Sequence, residues 1–385
     1  DCRQGEGGDH QEGEAAGGED GHACSMPDPG SSRSARFRRR RGYGAGMARK
    51  ARAGLTVAVT GPTGTFGYGL MPLLEDEPQV ARVIGVARRP FDPADHGWSK
   101  MTYRQGDVRD PEVLEQAFAG ADVVVHLAFL ITGTTSLETA RTINVEGTLN
   151  AFRAAAAAGV KRFVYASSVA AFGFHADNPV GMPDDWPTRP ADHLFYAQEK
   201  AELEGLLATE AARFPDLEVY LLRPPVVLGP HAVGGKSELV ERLLPALRRA
   251  AALARRLPLP LPMPVPDLPM QFIHEHDVGT ALVRCVLGAG PPGAYNIAGS
   301  GVLTGADLVR ELGLAPITVP APVAQAAARW FTALPLPSFV PPVAGWAEVL
   351  TQPAIVDTSK AERELGWTPR YSGLEALRAT LGPPD

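Results

Sequence analysis

The most informative part of the chain is Leu55–Leu74, which reads L-T-V-A-V-T-G-P-T-G-T-F-G-Y-G-L-M-P-L-L. Its first six residues are apolar or β-branched and predict a buried parallel strand. Gly61, Gly64 and Gly67 come next, and the start of an apolar helix follows them. Such glycines allow a tight strand-to-helix turn and let backbone approach a pyrophosphate, which the helix N-terminus favours. The order strand, glycines, helix therefore predicts a dinucleotide-binding turn, although the glycines alone also fit an ordinary turn.

Length and composition are those of an ordinary soluble globular protein. The 385 residues are 45% hydrophobic and 21% charged, and they can bury a large core in one or two domains. The net charge of −6 argues against a nucleic-acid-binding protein. Cys2, Cys24 and Cys285 have the spacing of neither a metal site nor a disulfide framework, which favours a reducing cytoplasm.

The first 46 residues differ from the rest of the chain. They are rich in Gly, Ser, Glu and Asp and then turn basic around Arg38–Arg41, without apolar periodicity or the core of a signal peptide. We interpret residues 1–46 as a disordered extension, with Met47 as the expected natural start; the alternative is an arm that binds nucleic acid or a membrane surface. We expect a dinucleotide-binding domain over residues 47–228. Residues 229–385 are expected to form mainly a substrate lobe, with segments returning to the sheet.

Strands and helices are predicted to alternate after the glycine turn. Buried apolar runs predict further strands at Arg82–Ala87, Met101–Gln105, Ala121–Leu127, Arg162–Ser167 and Glu218–Arg223. Helices are predicted from Pro111 behind an Asp110 cap, from about Thr139 to Ala158 with Gly159 as C-cap, and from Phe195 towards Phe214. The alternation predicts an α/β fold: a doubly wound parallel sheet of the Rossmann type with a smaller C-terminal α/β lobe. A ligand is expected across the carboxyl ends of the strands.

The end of the second strand bears on the choice of cofactor. A carboxylate there would bind the ribose 2′-hydroxyl of NAD, but Ala87 stands at that position and Arg88 and Arg89 follow. Guanidinium groups match a 2′-phosphate, so the sequence favours NADP over NAD unless both arginines are merely solvated. Asp107 is placed to meet the adenine edge or to cap its own turn, and the small Ala128 would let backbone lie against the cofactor.

Two other polar residues are interpreted as structural. His126 lies inside a predicted strand and is expected to be packed rather than catalytic. Asn144 lies inside a predicted helix and is expected to tie neighbouring elements together.

The predicted chemistry depends on Ser168, Tyr196 and Lys200. Ser168 follows the fifth strand, and Tyr196 and Lys200 share one helix face because they are four residues apart. An ammonium close to a phenol lowers its pKa, so Tyr196 could give a proton to a carbonyl oxygen while Ser168 stabilises that oxygen. Taken singly, the three also fit an interface aromatic, a solvated helix charge and a strand-end cap.

The motifs in their order resemble a known family, the extended short-chain dehydrogenase/reductases of the NAD-dependent epimerase/dehydratase type. The matching stretches are T-G-P-T-G-T-F-G at 60–67, G-D-V-R-D at 106–110, V-V-H-L-A at 124–128, N-V-E-G-T at 144–148, V-Y-A-S-S-V-A-A-F-G at 164–173, Y-A-Q-E-K at 196–200, L-R-P-P-V-V-L-G-P at 222–230, Q-F-I-H-E-H-D-V at 271–278, Y-N-I-A-G at 295–299 and L-G-W-T-P at 365–369. The resemblance covers nearly everything from Thr56 onward.

The resemblance implies a set of site residues and a shared architecture. It implies Ser168, Tyr196 and Lys200 as the catalytic trio, a C-terminal substrate lobe, a small-molecule substrate and a possible homodimer. It also implies a nicotinamide-side loop at Pro224–Val226. The cofactor-binding residues expected from sequence and resemblance together are Gly61, Thr63, Gly64, Thr65, Phe66, Gly67, Arg88, Asp107, Val108, Leu127, Ala128, Tyr196, Lys200, Pro225 and Val226.

Departures from the family pattern bear on the substrate. Sugar-nucleotide epimerases of this kind carry an arginine shortly before the F-I-H segment, but no Arg or Lys lies between Arg256 and that segment here. No arginine precedes Asp357–Lys360 in the expected place either, and a diphosphate without cationic partners loses its strongest contacts. Leu257–Met270 and Pro320–Pro342 are instead apolar and proline-rich, which fits a core, an apolar pocket or a surface resting on a membrane. No transmembrane segment is predicted.

Together these observations predict an NAD(P)-dependent oxidoreductase that transfers hydride between nicotinamide and an apolar carbonyl/alcohol pair. The alternative enzyme is a nucleotide-sugar epimerase or dehydratase. An alternative from another class is a regulator that senses the dinucleotide without turnover.

Overall fold

The computed structural model describes residues 54–131, 136–192, 194–232, 260–266, 268–320 and 352–382, with positions 323 and 326. The extension predicted over residues 1–46 lies outside the described residues. So does most of the apolar segment Pro320–Pro342, as do residues 257–259 and 267 of the other apolar segment. No helix in the described ranges is long and apolar enough to cross a membrane.

The centre of the fold is a parallel sheet of seven strands. Its strands are β1 (Leu55–Thr60), β2 (Val80–Ala87), β3 (Met101–Gln105), β4 (Val123–His126), β5 (Arg162–Ala166), β6 (Glu218–Arg223) and β11 (Gly293–Asn296). Their order across the sheet is β11-β6-β5-β4-β1-β2-β3, and every neighbouring pair is parallel. Because the chain runs outward in both directions from β1, the predicted doubly wound α/β sheet is confirmed.

The helices of the described residues are α1 (Thr65–Asp76), α2 (Pro111–Phe118), α3 (Leu137–Arg141), α4 (Gly147–Ala157), α5 (Phe195–Ala211), α6 (Glu275–Leu287), α7 (Gly305–Glu311), α8 (Ser359–Leu365) and α9 (Gly373–Leu381). Of these, α1 and α6 pack on one face of the sheet, and α2, α4 and α5 pack on the other. One core joins Val57 and Val59 of β1 to α1 and α6, while another joins Ala58 to α2, α4 and α5. Alternate β1 residues thus face opposite layers, which explains why residues on both sides of the strand are buried.

The helices α1 and α6 touch at the level of the backbone. A Cβ atom added to Gly69 would collide with the carbonyl oxygen of Glu275, and one added to Gly279 would collide with that of Gly69. Glycine is therefore required at both positions, and the close crossing brings the start of α6 beside the first turns of α1.

Short strands outside the main sheet belong to the C-terminal part of the chain. The pairs are β7 (Val226–Leu228) with β10 (Phe272–His274), β8 (Pro262–Pro266) with β13 (Ala315–Val319), and β9 (Pro269–Met270) with β12 (Leu303–Thr304). The helices α7 and α9 lie in the same part of the chain. The strand β11 lies between these segments in sequence and returns to the edge of the main sheet beside β6.

One predicted helix is wrong in its continuity. The segment expected as a single helix from Thr139 to Ala158 consists of α3, a π-helical turn at Thr142–Glu146 and α4. The side chain of Asn144 leaves the helical segment to bind neighbouring elements, and the Thr148 hydroxyl donates to the Asn144 carbonyl oxygen at 2.5 Å. These bonds favour a widened turn, a form that is frequent at functional sites.

Candidate active site

The glycine turn brings β1, α1 and the end of β4 together. Gly61 has a φ of +70°, and a Cβ atom there would lie 2.9 Å from the backbone nitrogen of Ala128. Gly64 is the N-cap of α1 and leaves its first turn without a side-chain cap. A Cβ atom on Gly67 would collide with the carbonyl group of Pro62. The turn is therefore closed by backbone contacts, and the free N–H groups of the first turn suit a phosphate.

Other predicted cofactor residues surround this turn. Thr65 opens α1 and its hydroxyl donates to the carbonyl oxygen of His231 at 3.4 Å, while Phe66 packs against the first core. Thr63 is half-buried within the turn. Leu127 donates its N–H to the carbonyl oxygen of Thr60, which holds the end of β4 against β1.

The end of β2 carries the two arginines predicted to select the cofactor. Arg88 is exposed, and its carbonyl oxygen accepts from Gln105 Nε2 at 2.9 Å. Asp107 forms an ion pair with Arg109 at 2.7 Å and also accepts the Arg109 backbone N–H. The hydrogen bond from Arg109 holds the pKa of Asp107 below its ordinary value, and the charge of Arg88 acts in the same direction. These contacts are those expected of a turn cap, and the contact of Asp107 with the adenine edge stays a prediction. The next residue, Val108, is buried.

Residues at the end of β5 are hydrogen-bonded to Lys200 on α5. Lys200 Nζ donates to the Tyr165 hydroxyl at 3.0 Å and to the Ala166 carbonyl oxygen at 2.7 Å. Ser168 accepts the Ala170 N–H at 3.1 Å, which leaves its own hydroxyl proton free to donate, and its side chain is close enough to the Tyr196 phenol to lower the pKa of that group. The three predicted catalytic residues are thus within one small volume at the carboxyl end of the sheet.

The pKa values in this volume are dominated by burial. Burial lowers the pKa of Lys200 to about 7, against the opposing charges of Glu204 and Glu199. Burial also raises the pKa of Tyr196, and the nearby Ser168 side chain only partly opposes this. The net direction for Tyr196 is opposite to the lowering expected from an adjacent ammonium, because burial is the larger effect. Lys200 Nζ binds the end of β5 and lies 5.9 Å from the Tyr196 ring centroid.

Phe129 is a site residue that the sequence did not single out. Its ring centroid lies 3.6 Å from Lys200 Nζ, and its ring meets that of Tyr196 edge to face at 5.6 Å. The following residue, Leu130, is bound through both backbone groups to the side chain of Asn144, at 2.7 and 2.9 Å. Nothing in local periodicity indicates such a contact, because it joins the end of β4 to a helix far along the chain.

Asn144 and His126 have the structural contacts expected of them. Asn144 is buried and donates from Nδ2 to Glu199 at 2.8 Å as well as binding Leu130. His126 is buried between the hydroxyls of Thr60 at 2.8 Å and Thr148 at 3.0 Å. Burial lowers the pKa of His126 to about 3, so the ring is neutral and serves as a polar link between β1, β4 and α4.

The predicted nicotinamide-side loop lies next to the end of β5. The Val169 N–H donates to the Pro224 carbonyl oxygen at 3.1 Å, which places this loop beside Ser168. Pro225 is buried and Val226 is 46% exposed at the start of β7. The predicted residues from β1, β4, β5, α5 and β7 therefore lie at the carboxyl ends of the strands.

A buried ion pair under this site was also missed by the sequence reasoning. Glu204 accepts from Nε and Nη2 of Arg223, and the hydroxyl of Ser167 donates to the same carboxylate. Arg223 Nη1 donates to the carbonyl oxygen of Asp184 at 2.6 Å. The one sequence feature that could have indicated Glu204 is its spacing from Tyr196 and Lys200, which puts all three on one helix face.

Across the described ranges, no cluster of His, Cys, Asp and Glu could hold a metal ion.

Comparison with known proteins shows the family. Residues 57–298 match the model of the NAD dependent epimerase/dehydratase family, which is more than half of the chain. A protein of Mycobacterium tuberculosis with no assigned activity is 26% identical over 331 residues, which cover 83% of this chain and 82% of that protein.

One further relative and one solved structure are also similar to this chain. The N-acetyl-alpha-D-glucosaminyl-diphospho-ditrans,octacis-undecaprenol 4-epimerase of Escherichia coli O157:H7 is 33% identical over 140 residues, covering 36% of this chain and 41% of the epimerase. The structure of the Bordetella bronchiseptica enzyme WbmG with NAD and UDP is similar with a TM-score of 0.63 at 20% identity, covering 86% of this chain and 94% of that one. At this identity the likeness shows the fold alone.

Proposed function

The chain belongs to the NAD dependent epimerase/dehydratase family, and we propose that it is an oxidoreductase that uses Tyr196 as its acid/base residue. The proposed reaction transfers hydride between a nicotinamide cofactor and a carbonyl/alcohol pair. The observation that carries this proposal is the contact of Ser168 with the Tyr196 phenol one helical turn from the buried ammonium of Lys200. A phenol, a hydroxyl and an ammonium so arranged supply a proton donor, an oxygen stabiliser and an anchor for a ribose.

The residues around the glycine turn fit a dinucleotide. Gly61 admits the backbone of Ala128, and the uncapped first turn of α1 offers N–H groups to a pyrophosphate. We propose that Leu127 and Ala128 face the cofactor with their backbone and that Pro225 and Val226 border its nicotinamide. The bound cofactor supplies the hydride.

The side chains of this protein handle the proton. Tyr196 gives its hydroxyl proton to the carbonyl oxygen in the direction of reduction and takes it back in the direction of oxidation. Ser168 donates a hydrogen bond to the same oxygen through its hydroxyl proton, which its contact with the Ala170 N–H leaves available. Lys200 donates to a ribose hydroxyl and so holds the nicotinamide over the substrate. The raised pKa of Tyr196 keeps the phenol protonated, which is the form that gives the proton in the direction of reduction.

For the form of the cofactor we propose NADP in preference to NAD. Arg88 is exposed at the end of β2, and its charge already acts on Asp107, the neighbouring acidic residue of the turn after β3. A guanidinium there can bind a 2′-phosphate. The WbmG structure contains NAD, so the preference is a property we propose for this chain and not for the fold.

For the substrate we propose an apolar carbonyl or alcohol. The ring of Phe129 lies against both Tyr196 and Lys200, and the residues that follow it are Leu130 and Ile131. A sugar packed against these apolar side chains would lose hydrogen bonds between its hydroxyls and water without replacing them. The second candidate is a nucleotide-sugar epimerase, which the match to the Escherichia coli epimerase favours.

Oxidation of NADPH tests the proposal. The protein and its Tyr196→Phe variant are each incubated with NADPH and a panel of apolar ketones and aldehydes, and separately with UDP-sugars. We expect ketone-dependent oxidation by the natural sequence and a loss of about a hundredfold or more in the variant. Turnover confined to UDP-sugars would favour the epimerase, and tight cofactor binding without any turnover would favour a dinucleotide sensor.

A further inference from the structure

Phe129 covers the ammonium that is proposed to hold the cofactor. It lies at the exit of β4, two residues after Leu127, and its side chain is half-buried against the second core. The distance of 3.6 Å from Lys200 Nζ to the ring centroid is close for a cation–π contact, which extends to about 6 Å.

Besides two oxygen partners, the ammonium of Lys200 has the Phe129 ring as a third neighbour. A lysine ammonium has three N–H donors, and two of them serve the Tyr165 hydroxyl and the Ala166 carbonyl oxygen. Of the rings near Nζ, Phe129 is the nearest at 3.6 Å, with Tyr165 at 4.7 Å and Tyr196 at 5.9 Å, so we assign the third donor to the face of Phe129. A ribose hydroxyl that binds Lys200 must replace one of these three contacts.

Of the three contacts, the one with Phe129 is the easiest to replace. The Ala166 carbonyl belongs to the central strand β5, and the Tyr165 side chain is 1% exposed. Removing Lys200 from either oxygen would leave a buried polar group short of a partner, which is costly. Phe129 instead lies on the half-buried segment between β4 and α3, and an aromatic face needs no hydrogen bond.

The backbone that carries Phe129 is fixed, so the ring itself must turn. Asn144 binds both backbone groups of Leu130 and also donates to Glu199, the neighbour of Lys200 on α5. The segment is therefore tied to the same helix as the ammonium. Rotation of the Phe129 side chain can clear Lys200 without moving the segment.

We propose that Phe129 is a further residue of the cofactor site, whose ring competes with the cofactor ribose for the ammonium of Lys200. Binding of the cofactor turns the ring away from Lys200, and the contact that is lost weakens the net affinity. This inference rests on the proposed role of Lys200 in holding the ribose. It makes an unusual prediction, namely that removing a residue of the site strengthens binding.

The test is a measurement of Kd for NADH and NADPH by cofactor fluorescence. Phe129→Leu keeps an apolar side chain but removes the aromatic face, and Phe129→Ala removes both. We expect Kd to fall in both variants by about threefold to thirtyfold, which corresponds to about 0.7 to 2 kcal/mol. Phe214→Leu, a change to a half-buried ring at the far end of α5, is the matched control and should leave Kd unchanged.

A second comparison ties the effect to the ammonium. In a Lys200→Met background the ring has no cation to cover, so Phe129→Leu should no longer change Kd. Unchanged or weaker cofactor binding by a folded Phe129→Leu protein would overturn the inference. If Lys200→Met weakens binding while Phe129→Leu does nothing, only the inference about Phe129 fails. If Lys200→Met also does nothing, the proposed role of Lys200 fails with it. Thermal melting checks that each variant is folded. If Phe129→Ala is unfolded, the Kd of Phe129→Leu alone tests the inference.

Discussion

The carboxylate of Glu204 and the guanidinium of Arg223 form a buried ion pair between α5 and the end of β6. Both side chains are only 7% exposed, so neither charge can be satisfied by water if its partner is removed. Glu204 also accepts from Ser167, and its charge opposes the effect of burial on Lys200. The pair therefore joins the end of the sheet to the helix that carries the proposed catalytic residues.

Glu204→Gln is expected to lower the free energy of unfolding by about 3–5 kcal/mol, because Arg223 keeps a buried charge without its counter-charge. Urea denaturation measures the change. Glu218→Gln is the matched control: it breaks the pair of Glu218 with Arg162 at 2.8 Å, in which the Glu218 side chain is 44% exposed, and should cost about 1 kcal/mol or less. Equal losses in the two variants would contradict the assignment.

The affinity for NADH is expected to fall as the pH rises above about 7. The pKa of Lys200 is lowered to about 7, so the ammonium is present below that pH and lost above it. A neutral amine holds a ribose hydroxyl more weakly than an ammonium does. Fluorescence titration between pH 6 and pH 9 measures Kd, and NADH is chosen because it has no 2′-phosphate that ionises in this range. Lys200→Met should bind weakly at every pH, and a Kd of the natural sequence that does not vary with pH would count against the role of the ammonium.

Two glycine-to-alanine changes are expected to act in opposite directions. Gly69→Ala places a methyl group against the Glu275 carbonyl oxygen and should destabilise the fold by about 1–3 kcal/mol through forced separation of α1 and α6. Gly205→Ala lies in α5, faces open space and should stabilise the fold by about 0.5–1 kcal/mol. Thermal melting of the pair checks both signs. A Gly69→Ala protein as stable as the natural sequence would show that the helices do not cross at this distance.

Arg88→Asp is expected to weaken NADPH binding about tenfold or more while changing NADH binding much less. The substitution removes a charged partner of the 2′-phosphate and adds a carboxylate that suits a ribose 2′-hydroxyl. Kd values for both cofactors provide the measurement. Arg82→Asp makes the same charge change on β2, six residues earlier in the chain, and should affect the two cofactors equally. Equal changes for the two cofactors in Arg88→Asp would refute the proposed preference.

Much of the sheet could be predicted from the sequence because its strands are short apolar runs with local boundaries. The predicted limits of β1, β3 and β6 are those observed, and the Asp110 cap with Pro111 at the first helical position is confirmed. Other strand ends differ by one or two residues, since β2 begins at Val80 and β4 ends at His126. Hydrogen-bond pairing with neighbouring strands decides those ends, and pairing is not visible in a single run of residues.

The site itself could be predicted only in part. Ser168, Tyr196 and Lys200 followed from their places after a strand and on one helix face. Contacts across long sequence separations were invisible, and these include Phe129 over Lys200 and Arg223 with Glu204. The direction of the Tyr196 pKa was expected from charge alone, whereas burial decides it. Local patterns therefore located the groups that we propose to react, and burial sets the direction in which their pKa values shift.

The place of β11 in the sheet has a consequence for biosynthesis. This strand supplies residues Gly293–Asn296 to the edge beside β6, although β6 itself ends at Arg223. During translation, roughly 70 residues are made after β6 before β11 is synthesised. Over that interval the N–H and C=O groups on the outer side of β6 have no strand to pair with. A growing chain with such an open edge is prone to pair with other polypeptides. We therefore expect β6 to lose its unpaired edge only once Gly293–Asn296 have left the ribosome and paired with it.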